Sequence, residues 1–210
     1  SSPTGQGKTS FCQTLTSNIS DKEKCLWFTY EVPIVQFAEK FGADVPTFYI
    51  PMKLKESSLT WIQARILEGL AKFGTNVIFI DHLHFMIDME MLSRSNTSLS
   101  IGSMVRNLKK FALDYGLIIF LIAHMKKIRL EDNENPDIDD IRDSSFISQE
   151  ADIVMMMKRK KEKMNGDLVF GNRAKLLVVK NRETGKLGNI NLIYTTLNKF
   201  LEEDTIHEQE

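Results

Sequence analysis

Lys8 and Thr9 follow two closely spaced glycines in Pro3-Thr4-Gly5-Gln6-Gly7-Lys8-Thr9-Ser10, a grouping whose chemistry is the capture of phosphate. Gly5 and Gly7 let the backbone curl until several N–H groups converge on one anion. A helix opening near Lys8 adds the positive end of its dipole at the same point. Lys8 then reaches the β- and γ-phosphates of a nucleotide, and the Thr9 hydroxyl offers one ligand to a magnesium ion. The predicted cofactors are therefore ATP and Mg2+, held by Thr4, Gly5, Gln6, Gly7, Lys8, Thr9 and Ser10. The pattern is that of a phosphate-binding loop, G-x-x-x-x-G-K-[ST], with Ser2 in the place of the first glycine. A capped helix start is the simpler alternative. Such a loop follows a buried strand, so the sequence reads as a fragment that lacks its first strand and whatever lies upstream.

Other reactive side chains stand at the ends of apolar runs. Asp81 closes Asn76–Asp81 and has the form of an aspartate that holds Mg2+ directly or through water; a strand-end cap is its plainer role. Glu31 closes Cys25–Glu31, where a carboxylate can deprotonate the water that attacks the γ-phosphate, or simply be solvated. His124 follows Leu117–Ala123, placed to hydrogen-bond a γ-phosphate and sense its loss, or to be a polar strand terminus. His82 and His84 alternate around Leu83 without a third metal ligand at an obvious spacing, which favours a structural role. Lys180 and Arg182 alternate at another strand end, so both project from one face, to solvent or to a phosphate bound by a neighbouring subunit. Lys126, Lys127 and Arg129 open a long polar loop and are the local candidates for DNA phosphate contacts. Lys158-Arg159-Lys160-Lys161 is more basic still, and reads equally well as a solvated excursion.

The elements that must carry these residues follow from periodicity. Phe11, Leu15 and Ile19 mark a helix from Lys8 to about Ser20. Pro33 opens a second helix to about Phe41, Ser58 caps a third to about Phe73, and a fourth runs from about Ile101 to Tyr115 after a Ser/Asn/Thr-rich loop. Short apolar runs at 25–31, 47–50, 76–81, 117–123 and 151–157 read as strands, and 174–180 and 187–194 as two more joined by a turn at Thr184-Gly185. Residues 126–140 read as a long polar loop, and the Asn165-Gly166 turn marks a hairpin or a loose excursion. This alternation predicts an α/β fold, a mostly parallel sheet flanked by helices with antiparallel C-terminal strands. Ligands in such sheets bind beyond the carboxyl ends of the strands, which collects Glu31, Asp81 and His124 beside the phosphate loop.

Composition sets bounds on this reading. A chain of 210 residues suits one domain, here residues 1–200, followed by an acidic tail at 201–210. Net charge is −1, so no global basic field announces nucleic acid and any such contact is local or built by several copies. Cys12 and Cys25 read as core residues of a reducing compartment, and no apolar run reaches membrane-spanning length. Together these predict a soluble, cytoplasmic protein with no membrane partner.

The ordered motifs resemble the C-terminal motor domain of DnaB-like replicative helicases, a RecA-like P-loop fold. Residues 3–11 are similar to that family's first motif, Phe28-Thr29-Tyr30-Glu31-Val32-Pro33 to the strand of its catalytic glutamate, and Ile78–Met86 to its metal-binding segment. Val105–Ala112 resembles the helix before the sensor strand, and Ile122-Ala123-His124-Met125-Lys126 is closer to the sensor histidine of T7-type and Twinkle-like members than to the bacterial Ser-Gln-Leu. Pro136–Ser145 with Gln149–Ile153 resembles the Asp-Leu-Arg-x-Ser-Gly and Gln-x-Ala-Asp signature, which brings in Arg142. Val179-Lys180-Asn181-Arg182 with Thr184-Gly185 matches the Lys-x-Arg finger and turn.

The resemblance, over about residues 3–197, implies a helicase hydrolysing ATP in a ring, most simply a homo-hexamer, and moving 5′ to 3′ on single-stranded DNA. It implies Lys8, Glu31, His124 and Arg182 as catalytic, Thr9 and Asp81 at the metal, and Lys180 and Arg182 reaching a neighbour's nucleotide. Lys126, Lys127, Arg129 and Arg142 would be on DNA, with a primase or helicase loader as partners. Ser145 in place of the second residue of the Ser-Gly pair, and the acids Glu131, Asp132, Glu134, Asp137, Asp139 and Asp140 in the DNA loop, depart from the pattern. A RecA- or RadA-type recombination ATPase and a KaiC-like ATP switch share the fold and stand as alternatives.

Overall fold

The computed structural model describes residues 6–52, 54, 58–82, 97–124, 144–164 and 167–203. In chain order they form α1 (Lys8–Ile19), β1 (Cys25–Thr29), α2 (Ile34–Glu39), β2 (Phe48–Tyr49), α3 (Leu59–Phe73), β3 (Val77–Asp81), α4 (Thr97–Tyr115), β4 (Ile118–Ile122), α5 (Ser144–Glu150), β5 (Ile153–Met164), β6 (Asp167–Asn181), β7 (Gly188–Tyr194) and β8 (Phe200–Glu202). One sheet has the order β2-β1-β3-β4, with every pairing parallel. The other has the order β5-β6-β7-β8, with every pairing antiparallel.

β1 and β3 are buried along their whole length, as their unbroken apolar runs require of strands covered on both faces. Alternate residues then serve two cores. Leu26, Phe28, Ile78 and Ile80 pack with Ile62 and Ile66 of α3 and with Ile101, Val105 and Leu108 of α4. Cys25, Trp27, Val77 and Phe79 pack on the opposite side with Cys12 of α1 and Phe37 of α2. Trp27, Phe79 and Phe120 are register neighbours on β1, β3 and β4, and their rings stack at 4.5 and 4.8 Å. This ladder fixes register, because a one-residue slip of any of the three strands would turn its ring to the other face and break the stack.

Local chemistry sets the boundaries. Ser58 caps α3 by accepting the Trp61 N–H at 3.4 Å, and Gly74, with φ 70°, ends it. α4 begins at Thr97 instead of Ile101, because a polar first turn carries no apolar period to reveal it. α5 has no counterpart among the predicted elements, being only seven residues long. β5 and β6 extend toward each other to Met164 and Asp167, so Lys158–Lys161 is paired strand and not an excursion. β5 is antiparallel to β6, although its apolar start resembles the parallel strands before it. Ile118 on β4 is 56% exposed, in what is by sequence the most apolar strand. Only β3 pairs with β4 among the described residues, which leaves its second edge open.

Candidate functional site

The site is built where α1 begins. Gly7 has φ 84°, a left-handed conformation that releases the chain into the helix, and the Phe11 N–H bonds the Gly7 carbonyl at 2.8 Å. The N-cap residue, Gly7, has no side chain with which to cap this N-terminus and the first turn carries no acid, so among the described residues its positive end is open to a ligand. α1 is held to β1 by the Trp27 Nε1–H donating to Thr16 Oγ1 at 3.0 Å, and to α2 by Gln13 Nε2 donating to the Phe37 carbonyl at 2.9 Å.

Below that N-terminus the Thr9 hydroxyl donates to Asp81 Oδ2 at 2.7 Å. Asp81 is fully buried, and its other oxygen, Oδ1, has no hydrogen-bond partner. Burial pushes the Asp81 carboxyl up to about 6, the Thr9 hydrogen bond opposes this, and the charge of Glu31 adds to it. Burial also lowers Lys8 from its ordinary value, against the attraction of Asp81 and Glu31. A hydroxyl and a buried carboxylate with an unused oxygen form a hard-oxygen donor pair that fits Mg2+. No cluster of three or more His, Cys, Asp or Glu that could hold a metal occurs among the described residues.

The parallel register delivers the remaining candidates. Thr29, Asp81 and Ile122 are aligned across β1, β3 and β4, so Glu31 and His124 lie two residues beyond the aligned row. β1 ends at Thr29 and not at Glu31; Glu31 sits exposed in a bend that Thr29 Oγ1 closes by donating to the Val32 carbonyl at 3.4 Å. The His124 ring meets His82 edge-on, with centroids 4.0 Å apart and planes at 90°. Lys8, Thr9, Glu31, Asp81 and His124 thus converge at one end of the parallel sheet. His82, read from sequence as structural, joins them through His124.

Lys180 and Arg182 behave differently. Lys180 Nζ donates to the Ser148 carbonyl and, at 3.3 Å, to that of Gln149, which also accepts from Arg182 Nη2. Arg182 lies 3.8 Å from Asp152 Oδ1, and its backbone N–H bonds the Asp152 carbonyl at 2.9 Å. Lys109 of α4 donates to Asp152 Oδ1 at 2.5 Å and to the Glu150 carbonyl at 3.1 Å, while Arg106 pairs with Glu150 at 2.7 Å. The last turn of α5 therefore gathers four cations onto carbonyls and two carboxylates, as a helix C-terminus favours. Burial and the neighbouring Arg182 and Lys109 lower Lys180. The sequence contained this cluster only as separate motifs, with nothing to show that α5 joins them.

A second feature missed from sequence is the brace behind the phosphate loop. A Cβ at Gly7 would stand 2.9 Å from the Phe200 ring, the Phe200 N–H bonds Thr14 Oγ1 at 3.0 Å, and Gln6 Oε1 accepts from the Arg159 N–H at 2.7 Å. Thus β8 and β5 of the antiparallel sheet pack on the loop and on α1. Ser10 lies in the first turn of α1. Thr4, Gly5, His84, Lys126, Lys127, Arg129 and Arg142, and the acids of the 131–140 loop, lie outside the described residues. No described helix is long and apolar enough to cross a membrane.

Comparison with known proteins gives this geometry a context. A family model described as the DnaB-like helicase C-terminal domain matches residues 46–202. The replicative DNA helicase DnaB of Rickettsia prowazekii is 26% identical over 155 residues, covering 65% of this chain and 31% of that protein. A probable replicative DNA helicase of Trieres chinensis is 26% identical over 188 residues, covering 73% and 41%. The DNA helicase/primase of Enterobacteria phage T3 is 25% identical over 156 residues, covering 72% and 26%. The chain thus spans well under half the length of these relatives. Among solved structures, a DnaB-like replicative helicase studied with primase superposes with a TM-score of 0.75 at 15% identity, covering 95% of this chain and 55% of that one. A second solved structure, of an isolated ATPase domain, gives 0.74 at 17% identity, covering 94% and 81%.

Proposed function

Since the chain belongs to the DnaB-like helicase C-terminal domain family, we propose that it is the ATP-driven motor of a replicative DNA helicase, working as a ring of identical subunits on single-stranded DNA. One observation carries the reading: the Thr9–Asp81 hydrogen bond under an uncapped helix N-terminus, with Asp81 Oδ1 left unused. That arrangement is preorganised for a magnesium-bound triphosphate. Thr9 and Asp81 would hold the metal, which supplies neutralisation of the phosphate charge. The loop and the first turn of α1 bind the phosphates, with Lys8 between them. Glu31 takes a proton from the attacking water, and His124, supported by His82, contacts the γ-phosphate. Lys180 and Arg182 serve a neighbour's nucleotide, while Lys126, Lys127, Arg129 and Arg142 bear on DNA. Movement is 5′ to 3′, with a hexamer as the ring and a primase or loader as its partner, in the cytoplasm.

ATP hydrolysis measured with and without single-stranded DNA tests this. Strong stimulation, lost in both Lys8→Ala and Arg182→Ala, is expected. Turnover indifferent to DNA would replace the motor by an ATP switch of the KaiC-like kind, and strand exchange without unwinding would replace it by a recombination ATPase.

A further inference from the structure

At the junction of α5 and β5, two carboxylates are divided unequally among four cations. Arg106 and Lys109 come from one face of α4, which Val105 and Leu108 anchor in the core. Arg106 takes Glu150, with Nε 2.9 Å and Nη2 2.7 Å from Oε1. Lys109 takes Asp152, with Nζ 2.5 Å from Oδ1, and also donates to the Glu150 carbonyl at 3.1 Å. Lys180 and Arg182 are left with the carbonyls of Ser148 and Gln149. Arg182 does approach Asp152, but at 3.8 Å and on Oδ1, the oxygen that Lys109 already holds. Glu183, the next acid in the chain, is exposed in the turn after β6.

This division has an energetic consequence. A hydrogen bond to a carboxylate is about twice as strong as one to a neutral acceptor, so a cation left on carbonyls departs more readily. The Arg182 backbone N–H is bonded to the Asp152 carbonyl at 2.9 Å, which keeps that residue's carboxylate within reach of the guanidinium. Without the Lys109 charge, Asp152 would close on Arg182 instead. Within one chain Arg182 also stands about 20 Å from the phosphate loop, because its N–H is fixed at Asp152 whereas Gln6 is fixed at Arg159, seven residues further along β5. A nucleotide it could reach therefore belongs to another copy, and Arg182 must leave its own acceptors to get there.

We infer that Lys109 is a positioning residue for the trans-acting step, one that neutralises Asp152 and so keeps Arg182 on acceptors it can leave. The inference rests on the proposed service of Lys180 and Arg182 at a neighbour's nucleotide. The competing reading makes Lys109 a plain tie between α4 and the α5–β5 junction. The two differ once Asp152 is also altered. A tie already broken gains nothing from losing its acid. The loss of a competitor, by contrast, is repaired when the carboxylate that would seize Arg182 is removed.

The test is ATP turnover of the assembled whole chain with single-stranded DNA, beside nucleotide affinity by equilibrium titration and a melting curve for each variant. Lys109→Met, which keeps the apolar stem without its charge, should lower turnover about threefold and leave nucleotide affinity within about twofold. Lys109→Met/Asp152→Asn should return turnover to the native level or above it. Lys109→Met/Glu183→Gln, which removes the other acid beside Arg182, should stay low. NMR relaxation of the Arg182 side-chain Nε–H reads the same exchange without turnover: more rigid in Lys109→Met than in the native chain, and released again when Asp152→Asn is added. Native turnover in Lys109→Met overturns the inference, as does a folded Lys109→Met/Asp152→Asn no faster than Lys109→Met alone. So does an Arg182 side chain equally ordered in all three chains. Arg182→Ala separates the two claims. If it abolishes turnover while the Asp152 rescue fails, the trans role stands and the inference falls; if it leaves turnover intact, both fall.

Discussion

At the start of α1, Asp81 is buried with one oxygen unused and its carboxyl held up at about 6, whereas at the end of α5 Lys180 and Arg182 are met by their own chain's carbonyls and by Asp152. The first region holds polar capacity in reserve at a cost in stability. The second has spent its capacity internally and costs little, since its partly buried cations are paired with carbonyls and carboxylates. A site left unsatisfied within one chain is ready for a ligand. A site satisfied within one chain must be drawn out of those contacts before its cations can act elsewhere. On the proposed function, nucleotide capture is complete in one subunit, and the trans-acting step waits on a neighbour.

The sharpest test of this contrast is Lys8→Ala against Arg182→Ala. Lys8→Ala should reduce ATP turnover by about 10^3-fold or more and also weaken nucleotide binding, since it removes the cation in the phosphate loop. Arg182→Ala should cost turnover about as much in the assembled state while nucleotide affinity, read by equilibrium titration, stays within about threefold. Full ATPase activity in Arg182→Ala would mean that the α5 contacts are its whole role.

Asp81→Asn separates stability from function at the first site. The carboxyl titrates at about 6 in the fold and at its ordinary 3.8 when unfolded, so between these values the folded chain holds the proton. The Asp81 contribution to ligand-free stability is therefore fully present below pH 3.8 and is lost as pH rises to about 6, where the cost of the buried charge is complete. Asparagine keeps the shape without the charge. The ligand-free variant should be more stable by about 1–2 kcal/mol at neutral pH, by denaturant titration, while Mg2+-dependent turnover is lost. Destabilisation instead would show that Lys8 depends on Asp81 more than Asp81 suffers from burial.

Gly7→Ala tests the brace. The left-handed backbone disfavours any side chain and the Phe200 ring is 2.9 Å from the new methyl, so a loss of about 1–3 kcal/mol is expected, with weakened nucleotide binding. Phe200→Leu in the same chain should recover part of the loss, because it removes the clash but not the strain.

The difference between the regions also explains what the sequence could reveal. Residues 76–81 and 117–123 announce buried strands because covering both faces demands unbroken apolar runs, and the chemistry at their ends is delivered by the parallel register. The strand-end positions of Asp81 and His124 were therefore legible, and that of Glu31 nearly so, apart from the strand ending two residues earlier. The hairpin from 153 to 181 was legible only at its ends, as the strands read at 151–157 and 174–180; its middle was not, since lysines there interrupt the apolar alternation. α5 is too short for a helical period, and the bond between Phe200 and Thr14 spans 186 residues, a contact no local pattern encodes. His82 gave no spacing signal of its own; only the fold brings it against His124.

The smallest expected effect falls on Asp152, whose carboxylate is shared between Lys109 at 2.5 Å and Arg182 at 3.8 Å. Asp152→Asn leaves the Arg182 backbone bond to the 152 carbonyl and the bonds of Lys180 and Arg182 to the Gln149 carbonyl in place. Stability should therefore change by no more than about 1 kcal/mol, and by less as salt is raised. If the α5 contacts hold the two cations back, removing this charge should raise assembled turnover about twofold while leaving nucleotide affinity unchanged. A fall in turnover would invert the comparison, because Asp152 would then be aiming Arg182 at the neighbouring site instead of retaining it.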